Sequence, residues 1–278
     1  MRRISAKDIT EKVKALCMSA AYDLGDNVAG ALRFAREREA SGLGKEVLDQ
    51  IIANFEIAAK ESLPMCQDTG IAVFFVEAGR DAHIEGHLEE AINEGVRQGY
   101  SEGYLRKSVC DPLTRINTED NTPAVIHTSI VEGDKIRIRF TPKGAGSENM
   151  SRLKMLKPAE GIAGIKKFIV ESITEAGGNP CPPIIAGIGI GGNFEKAALL
   201  AKKALLRPVG SPNPAQDIHK LEQELLGLIN ASGIGPMGFG GTITALAVHI
   251  ETFPCHIASL PIALNIQCHA DRHKEILI

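Results

Sequence analysis

The chain of 278 residues is long enough for one large domain, or two closely associated ones, with a full hydrophobic core. Its net charge of −3 and its 23% of charged residues exclude the strongly basic surface of a protein that binds nucleic acid or an anionic membrane. Tryptophan is absent and aromatic residues make up only 4%, which argues against the stacking platform of a single-strand binder.

The six cysteines, at positions 17, 66, 110, 181, 255 and 268, are too few and too scattered for a disulfide framework. We therefore expect the protein in a reducing cytoplasm. Residues 4–14 contain no apolar core of a signal peptide. No apolar stretch approaches the roughly 20 residues that a membrane-spanning helix needs.

Three amphipathic helices are predicted in the N-terminal section of the chain. Ser5 is the expected N-cap of the first helix, with Asp8 in its first turn. Asp26 is expected to cap the second helix, and apolar spacing predicts the third over residues 45–59.

The segment Cys66-Gln67-Asp68-Thr69-Gly70 follows the third helix and precedes an apolar run, residues 71–76, that predicts a buried strand. A thiol, an amide, a carboxylate and a hydroxyl therefore stand side by side on a helix-to-strand connection. Reactive side chains are often presented on such loops by the rigid elements around them.

The middle of the chain predicts a polar helix over residues 85–99 and a long polar connection over residues 106–120. Residues 124–130 and 135–141 then predict two strands joined as a hairpin by Glu132-Gly133-Asp134, with one face in water.

The C-terminal half alternates predicted helices with predicted strands. Helices are expected over residues 163–176, 194–206 and from Pro214 onward, and strands over residues 184–190, 242–250 and 257–266. The pattern predicts an α/β fold, a mixed sheet with flanking helices and a helical N-terminal section. We expect a single domain over residues 1–278, with any subdivision near residue 120.

Two glycine stretches, residues 187–192 and 233–238, fit the spacing of a dinucleotide-binding loop. The first lacks the acidic residue expected about twenty positions on, and Pro236 removes an N–H from the second. Close backbone packing is therefore the favoured interpretation. A nucleotide- or zinc-binding protein remains an alternative, and a non-catalytic scaffold is another.

The cysteines fall into two groups. Cys17, Cys110 and Cys255 are expected in the core, as most free cysteines are. Cys66, Cys181 and Cys268 lie among prolines, glycines and polar residues, without the paired spacing of a structural zinc site. Three isolated thiolates suit an iron–sulfur cluster in which one iron has no protein ligand.

Five motifs together resemble class I fumarate hydratase and the related L(+)-tartrate dehydratase, and they occur in the family's order along nearly the whole chain. They are residues 64–70 (PMCQDTG), 121–127 (NTPAVIH), 142–149 (PKGAGSEN), 181–183 (CPP) and 268–272 (CHADR).

The resemblance implies a [4Fe–4S] cluster bound by Cys66, Cys181 and Cys268. It also implies that the chain is the alpha subunit of a two-subunit enzyme, completed by a beta subunit and self-associated as α2β2. The implied reaction is the hydration of fumarate to (S)-malate, with L(+)-tartrate or a methylated fumarate as alternative dicarboxylates.

The resemblance also implies roles for individual residues. Asp68 and His256 are the implied catalytic residues. The implied substrate-binding residues are Gln67, Asp68, Arg106, Gly144 and Gly146. Arg115 and Arg272 lie near the motifs, but neither receives a role in substrate binding.

Overall fold

The computed structural model describes residues 2–278, and the chain divides into two compact units. The first contains residues up to Leu24, Phe55–Gly144 and Arg272–Ile278, and the second contains Gly25–Asn54 and Ala145–Asp271. The sequence had placed any subdivision near residue 120. The predicted α/β class, with mixed sheets, flanking helices and a helical N-terminal section, is confirmed.

The helices are α1 (Ala6–Tyr22), α2 (Asp26–Arg38), α3 (Gly42–Glu61), α4 (Leu88–Glu102), α5 (Ala145–Glu148), α6 (Gly161–Ala176), α7 (Phe194–Ala204) and α8 (Gln216–Asn230). The strands are β1 (Arg2–Ser5), β2 (Ile71–Gly79), β3 (Ala82–Glu85), β4 (Val125–Val131), β5 (Ile136–Lys143), β6 (Arg152–Leu156), β7 (Ile184–Gly191), β8 (Ala245–Phe253), β9 (Leu260–Gln267) and β10 (Lys274–Leu277). Within residues 2–278, none of the helices combines the length and the apolar character needed to cross a membrane.

The first unit packs α1 and α4 with a four-stranded sheet. As predicted, Ser5 caps α1, and its hydroxyl accepts a hydrogen bond from the Lys7 N–H at 3.2 Å. A Cβ atom at Gly95 of α4 would lie only 2.7 Å from Val13 of α1, so glycine lets the two helices approach closely. The rings of Phe74 and Phe140 stack in this core, with centroids 4.9 Å apart.

The predicted hairpin between β4 and β5 is wrong. The strand order is β10-β5-β2-β4, so β2 lies between them, parallel to β4 and antiparallel to β5. Residues 72–76 of β2 are all buried, which suits a central strand, whereas most of β4 is exposed and forms the edge. Burial of the apolar strand therefore decides the pairing, although the turn between β4 and β5 is short.

The second unit has a sheet of order β6-β9-β7-β8, in which β7 runs parallel to β8 and antiparallel to β9. Gly187 and Gly189 of β7 face α7, where a Cβ atom would lie 2.2 Å from the Ala201 carbonyl oxygen and 2.0 Å from that of Ala197. The glycines therefore let α7 lie directly on the sheet. Close packing, the favoured interpretation of this stretch, is confirmed.

The second glycine stretch also packs backbone against backbone. A Cβ atom at Gly235 would lie 2.2 Å from the carbonyl carbon of Gly240, and one at Gly238 would lie 2.8 Å from the Cα atom of Gly178. Both glycines have positive φ, which residues with a side chain rarely adopt. Gly235 and Gly238 therefore serve close backbone packing, as the glycines of the first stretch do.

His249, in β8, is buried and makes the stability of this unit depend on pH. Burial, and then the charge of Arg207, lowers the pKa of His249 to about 4, although Glu222 and Asp271 oppose the shift. In the unfolded chain the histidine pKa is about 6.5. As pH falls from 6.5 toward 4, the unfolded state therefore gains a proton that the folded state excludes. We expect the free energy of unfolding to fall by about 3 kcal/mol at most.

Urea unfolding at about pH 7 and about pH 4.5 checks this expectation. His249→Gln should lose less stability over this range than the wild-type chain. The matched control is His83→Gln, at an exposed histidine, which should keep the wild-type dependence. If the free energy of unfolding of His249→Gln falls with pH as much as that of the wild-type chain, the acid sensitivity belongs to other groups.

Candidate active site

In the first unit, the segment Cys66–Gly70 forms a tight loop directly before β2. The Asp68 N–H donates to Cys66 Sγ at 3.4 Å, and the Gly70 N–H donates to Asp68 Oδ1 at 3.0 Å. Gly70 has a φ of +77°, and a Cβ atom there would lie 2.7 Å from the Lys143 nitrogen. Only glycine fits this position, because any Cβ atom would collide with the Lys143 backbone. The glycine therefore permits the tight turn that carries both the Cys66 thiol and the Asp68 carboxylate.

Buried side chains bind the backbone carbonyls of this loop. The Tyr100 hydroxyl donates to the Thr69 carbonyl at 2.8 Å, and Asn121 Nδ2 donates to the Gly70 carbonyl at 3.2 Å. Nη2 of Arg272 donates to the Asp68 carbonyl at 2.7 Å. Three residues that are distant in sequence therefore hold the backbone of the loop.

Arg106 is tied to the same loop through its backbone. Its carbonyl accepts a hydrogen bond from the Thr69 hydroxyl at 2.6 Å. Asn121 Oδ1 accepts from the Ser108 N–H at 2.7 Å and so holds the segment that follows. The Arg106 residue is exposed, so its guanidinium is presented outward from a fixed backbone.

Gly144, at the end of β5, lies beside Asp68. A Cβ atom at Gly144 would be 3.1 Å from Asp68 Oδ2, so a larger residue would press on the carboxylate. Gln67 is exposed next to Cys66. The first unit therefore brings together five of the residues named by the resemblance, namely Cys66, Gln67, Asp68, Arg106 and Gly144.

In the second unit, Cys181 and Cys268 lie at the same end of the sheet. Cys181 precedes β7 and Cys268 follows β9, and the register pairs Ile185 with Gln267 in these antiparallel strands. The His269 N–H donates to the Cys181 carbonyl at 3.3 Å, and His269 Nδ1 lies 3.0 Å from the same oxygen. Because a carbonyl only accepts, Nδ1 carries the proton in this contact. Gly146 of α5 lies in this unit, where a Cβ atom would be 3.6 Å from the Asn179 carbonyl oxygen.

The structure does not bring His256 near Cys181 and Cys268. His256 is exposed in the connection before β9, whereas Cys268 follows the end of that strand. One strand of this length spans about 25 Å. The Ala258 N–H donates to His256 Nδ1 at 3.1 Å, which leaves the proton on Nε2.

The other cysteines were expected in the core, and the outcomes differ. Cys17 is buried as expected, and burial raises the pKa of its thiol. Cys110 is half-buried, and the expectation for Cys255 is wrong because it is exposed in the connection between β8 and β9. Its apolar neighbour β8 ends at Phe253, so the cysteine falls beyond the buried strand.

Taken one by one, the surroundings of the three cysteines suit thiolate ligands of an iron–sulfur cluster. Cys66, Cys181 and Cys268 are half-buried, and an amide N–H already points at the sulfur of Cys66, as hydrogen bonds do around cluster thiolates. Among the described residues 2–278, no group of three His, Cys, Asp or Glu side chains could hold a single metal ion.

Three residues that fix the loop were not assigned from the sequence. Tyr100 carries no local signal, whereas Asn121 stands in the motif of residues 121–127, but the contacts of both with the loop cross 30 residues or more. Arg272 belongs to the motif of residues 268–272, so the sequence drew attention to it. Its partner could not be identified from the sequence, because Asp68 lies 204 positions away.

Comparison with known proteins gives matches over almost the whole chain. Residues 10–277 match the family model described as fumarate hydratase (fumerase). A protein of Methanocaldococcus jannaschii, provisionally named L(+)-tartrate dehydratase subunit alpha, is 47% identical over 271 residues, which are 95% of this chain and 95% of the relative.

Two bacterial relatives carry the same name without that qualification. L(+)-tartrate dehydratase subunit alpha of Escherichia coli (strain K12) and that of Shigella sonnei (strain Ss046) are each 32% identical over 274 residues. These residues are 97% of this chain and 90% of each relative.

Proposed function

Because the chain belongs to the fumarate hydratase (fumerase) family, we propose that it is the cluster-binding alpha subunit of a hydro-lyase that interconverts fumarate and (S)-malate. Family membership makes it part of a hydro-lyase, and the substrate is the proposed part. The observation that carries the proposal is the tight Cys66–Gly70 loop. Its backbone N–H groups bind both the Cys66 thiol and the Asp68 carboxylate, which are two residues apart in sequence.

Cys66, Cys181 and Cys268 are the proposed ligands of one [4Fe–4S] cluster. When bound, the cluster supplies Lewis-acid chemistry through the iron that lacks a protein thiolate. The support is the resemblance of the three motifs together with the half-exposed thiols described above.

Asp68 is the proposed proton-transfer residue. Hydration adds hydroxide to one alkene carbon and a proton to the other, and dehydration removes both again. The Asp68 carboxylate can deliver or remove the carbon-bound proton, because the Gly70 N–H fixes its position.

The substrate's own carboxylates are assigned to donors around Asp68. The exposed guanidinium of Arg106 matches one carboxylate as a bidentate pair. The Gln67 amide and the backbone N–H groups of Gly144 and Gly146 are the proposed donors for the remaining oxygens.

Arg106→Lys tests the carboxylate pair. Lysine keeps the charge but loses the planar fork, so we expect kcat/KM to fall roughly tenfold or more, equivalent to about 1.4 kcal/mol. Arg115→Lys, at another exposed arginine of the same connection, is the matched control and should leave the kinetics unchanged. Equal kinetics for both variants would return Arg106 to a structural role.

A partner subunit is implied because the relatives are named as alpha subunits. We propose a beta subunit that covers the exposed Arg106, supplies the remaining cationic groups for a dicarboxylate and excludes water, in an α2β2 assembly. His256 is a strand length from Cys181 and Cys268 within its unit, so its proposed catalytic role requires the second copy in that assembly. A cytoplasmic location is part of the proposal, since the reactive thiols require reducing conditions.

L(+)-tartrate is a second candidate substrate because the relatives that are 32% to 47% identical carry that name. An anaerobic assay of the cluster-loaded complex with fumarate, L(+)-tartrate and methylfumarate separates the candidates. We expect turnover of fumarate. Turnover of L(+)-tartrate alone would identify L(+)-tartrate as the substrate instead of fumarate. No turnover of any of the three compounds would contradict the proposed function.

A further inference from the structure

Arg272 is a buried cation that the proposed reaction does not yet use. Only 3% of the residue is exposed. Its Nη2 donates to the Asp68 carbonyl at 2.7 Å, whereas Nε and Nη1 are buried and have no hydrogen-bond partner within residues 2–278. A guanidinium has five N–H donors, so most of its hydrogen-bonding capacity is unused.

Such an arrangement is unfavourable for stability, because a buried charge requires a partner and full hydrogen bonding. Arg207 in the second unit shows the usual solution. Its Nη1 donates to Glu222 Oε1 at 2.6 Å, and its Nη2 donates to the Ser211 carbonyl at 3.0 Å. Arg272 lacks such a carboxylate partner among its hydrogen bonds, so folding stability does not explain its presence.

We propose that Arg272 is a positioning residue, which holds Asp68 through its backbone carbonyl and keeps a positive charge beside the proton-transfer site. This inference rests on the proposed function, since it requires Asp68 to move the proton. The contact fixes the backbone on the carbonyl side of Asp68, while the Gly70 N–H fixes the carboxylate. Removal of a proton from carbon leaves negative charge on the substrate, and a nearby buried cation favours that charge.

The electrostatic surroundings of the loop agree with this role. Burial raises the pKa of Tyr100, whose hydroxyl binds the Thr69 carbonyl. The Arg272 charge opposes that rise, whereas the Asp68 charge adds to it. The cation and the carboxylate therefore both act on the buried Tyr100 hydroxyl that binds the loop.

The test compares Arg272→Met with Arg207→Met in the cluster-loaded complex with the beta subunit. Methionine is apolar and removes the charge in both variants. For Arg272→Met we expect an unchanged or higher Tm, wild-type iron content, largely unchanged KM and a kcat lower by about 100-fold, as misplaced catalytic groups produce. Arg272→Lys, which retains the charge, should lose less. For Arg207→Met we expect a Tm lower by about 5 °C or more, because the buried Glu222 loses its guanidinium partner.

A fall in Tm for Arg272→Met, or its failure to fold, would overturn the inference, since either result makes Arg272 a structural residue. An unchanged kcat would overturn it as well. Wild-type protein without hydro-lyase activity would instead reject the proposed function, and the comparison of the two Tm values would still decide whether Arg272 serves stability.

Discussion

Asp68→Asn is expected to lower kcat by about 10²–10⁴-fold, because an amide cannot take or deliver the carbon-bound proton. The substitution is nearly isosteric, and the asparagine oxygen can still accept from the Gly70 N–H. We therefore expect the loop, the iron content and the assembly with the beta subunit to be retained. Steady-state kinetics of the complex, together with iron analysis, measure the effect.

Asp111→Asn is the matched control for this substitution. Asp111 Oδ1 accepts from the Leu113 N–H at 2.9 Å, two residues on, as Asp68 does from Gly70. Asp111 is exposed in the connection between α4 and β4, and its substitution should leave kcat unchanged. A kcat for Asp68→Asn within about twofold of wild type would remove Asp68 from the proton transfer.

Serine substitution of Cys66, Cys181 or Cys268 is expected to abolish both cluster binding and activity. A hydroxyl is a poor replacement for a thiolate ligand of iron, and the remaining two thiolates hold the cluster weakly. After anaerobic reconstitution, iron should fall from about four atoms per chain to below about one, with loss of the visible charge-transfer absorption.

Cys255→Ser is the control for these three variants, because Cys255 is exposed and β9 separates it from Cys268. It should retain iron and activity. Full iron content in any one of the three predicted ligand variants would exclude that cysteine from the ligand set.

Much of the fold could be predicted because local patterns determine it. The Ser5 cap, the apolar face of α1 and the apolar run of β2 each specify their own structure. The hairpin of β4 and β5 failed because pairing depends on which strand can be buried on both faces. The strand that is buried between them is β2, which lies more than 40 positions before β4 in the chain.

The candidate site likewise contains residues that local sequence predicts and residues whose roles depend on the fold. Asp68 and Cys66 could be proposed from one pentapeptide and its resemblance, because the functional groups are adjacent in sequence. Arg272 could not be assigned, since its role depends on a contact with Asp68 that only the folded first unit makes. The separation of His256 from Cys268 was different, because the strand predicted over residues 257–266 already lies between them, and β9 confirms it.

The central claim is that this chain carries the cluster and Asp68 but needs a second chain to complete the site. Its most direct test is to titrate the beta subunit into the anaerobically reconstituted chain while fumarate–malate interconversion is measured. The account predicts negligible turnover for the chain alone and a rise to a plateau at one beta chain per alpha chain. Full turnover without any added polypeptide would contradict it.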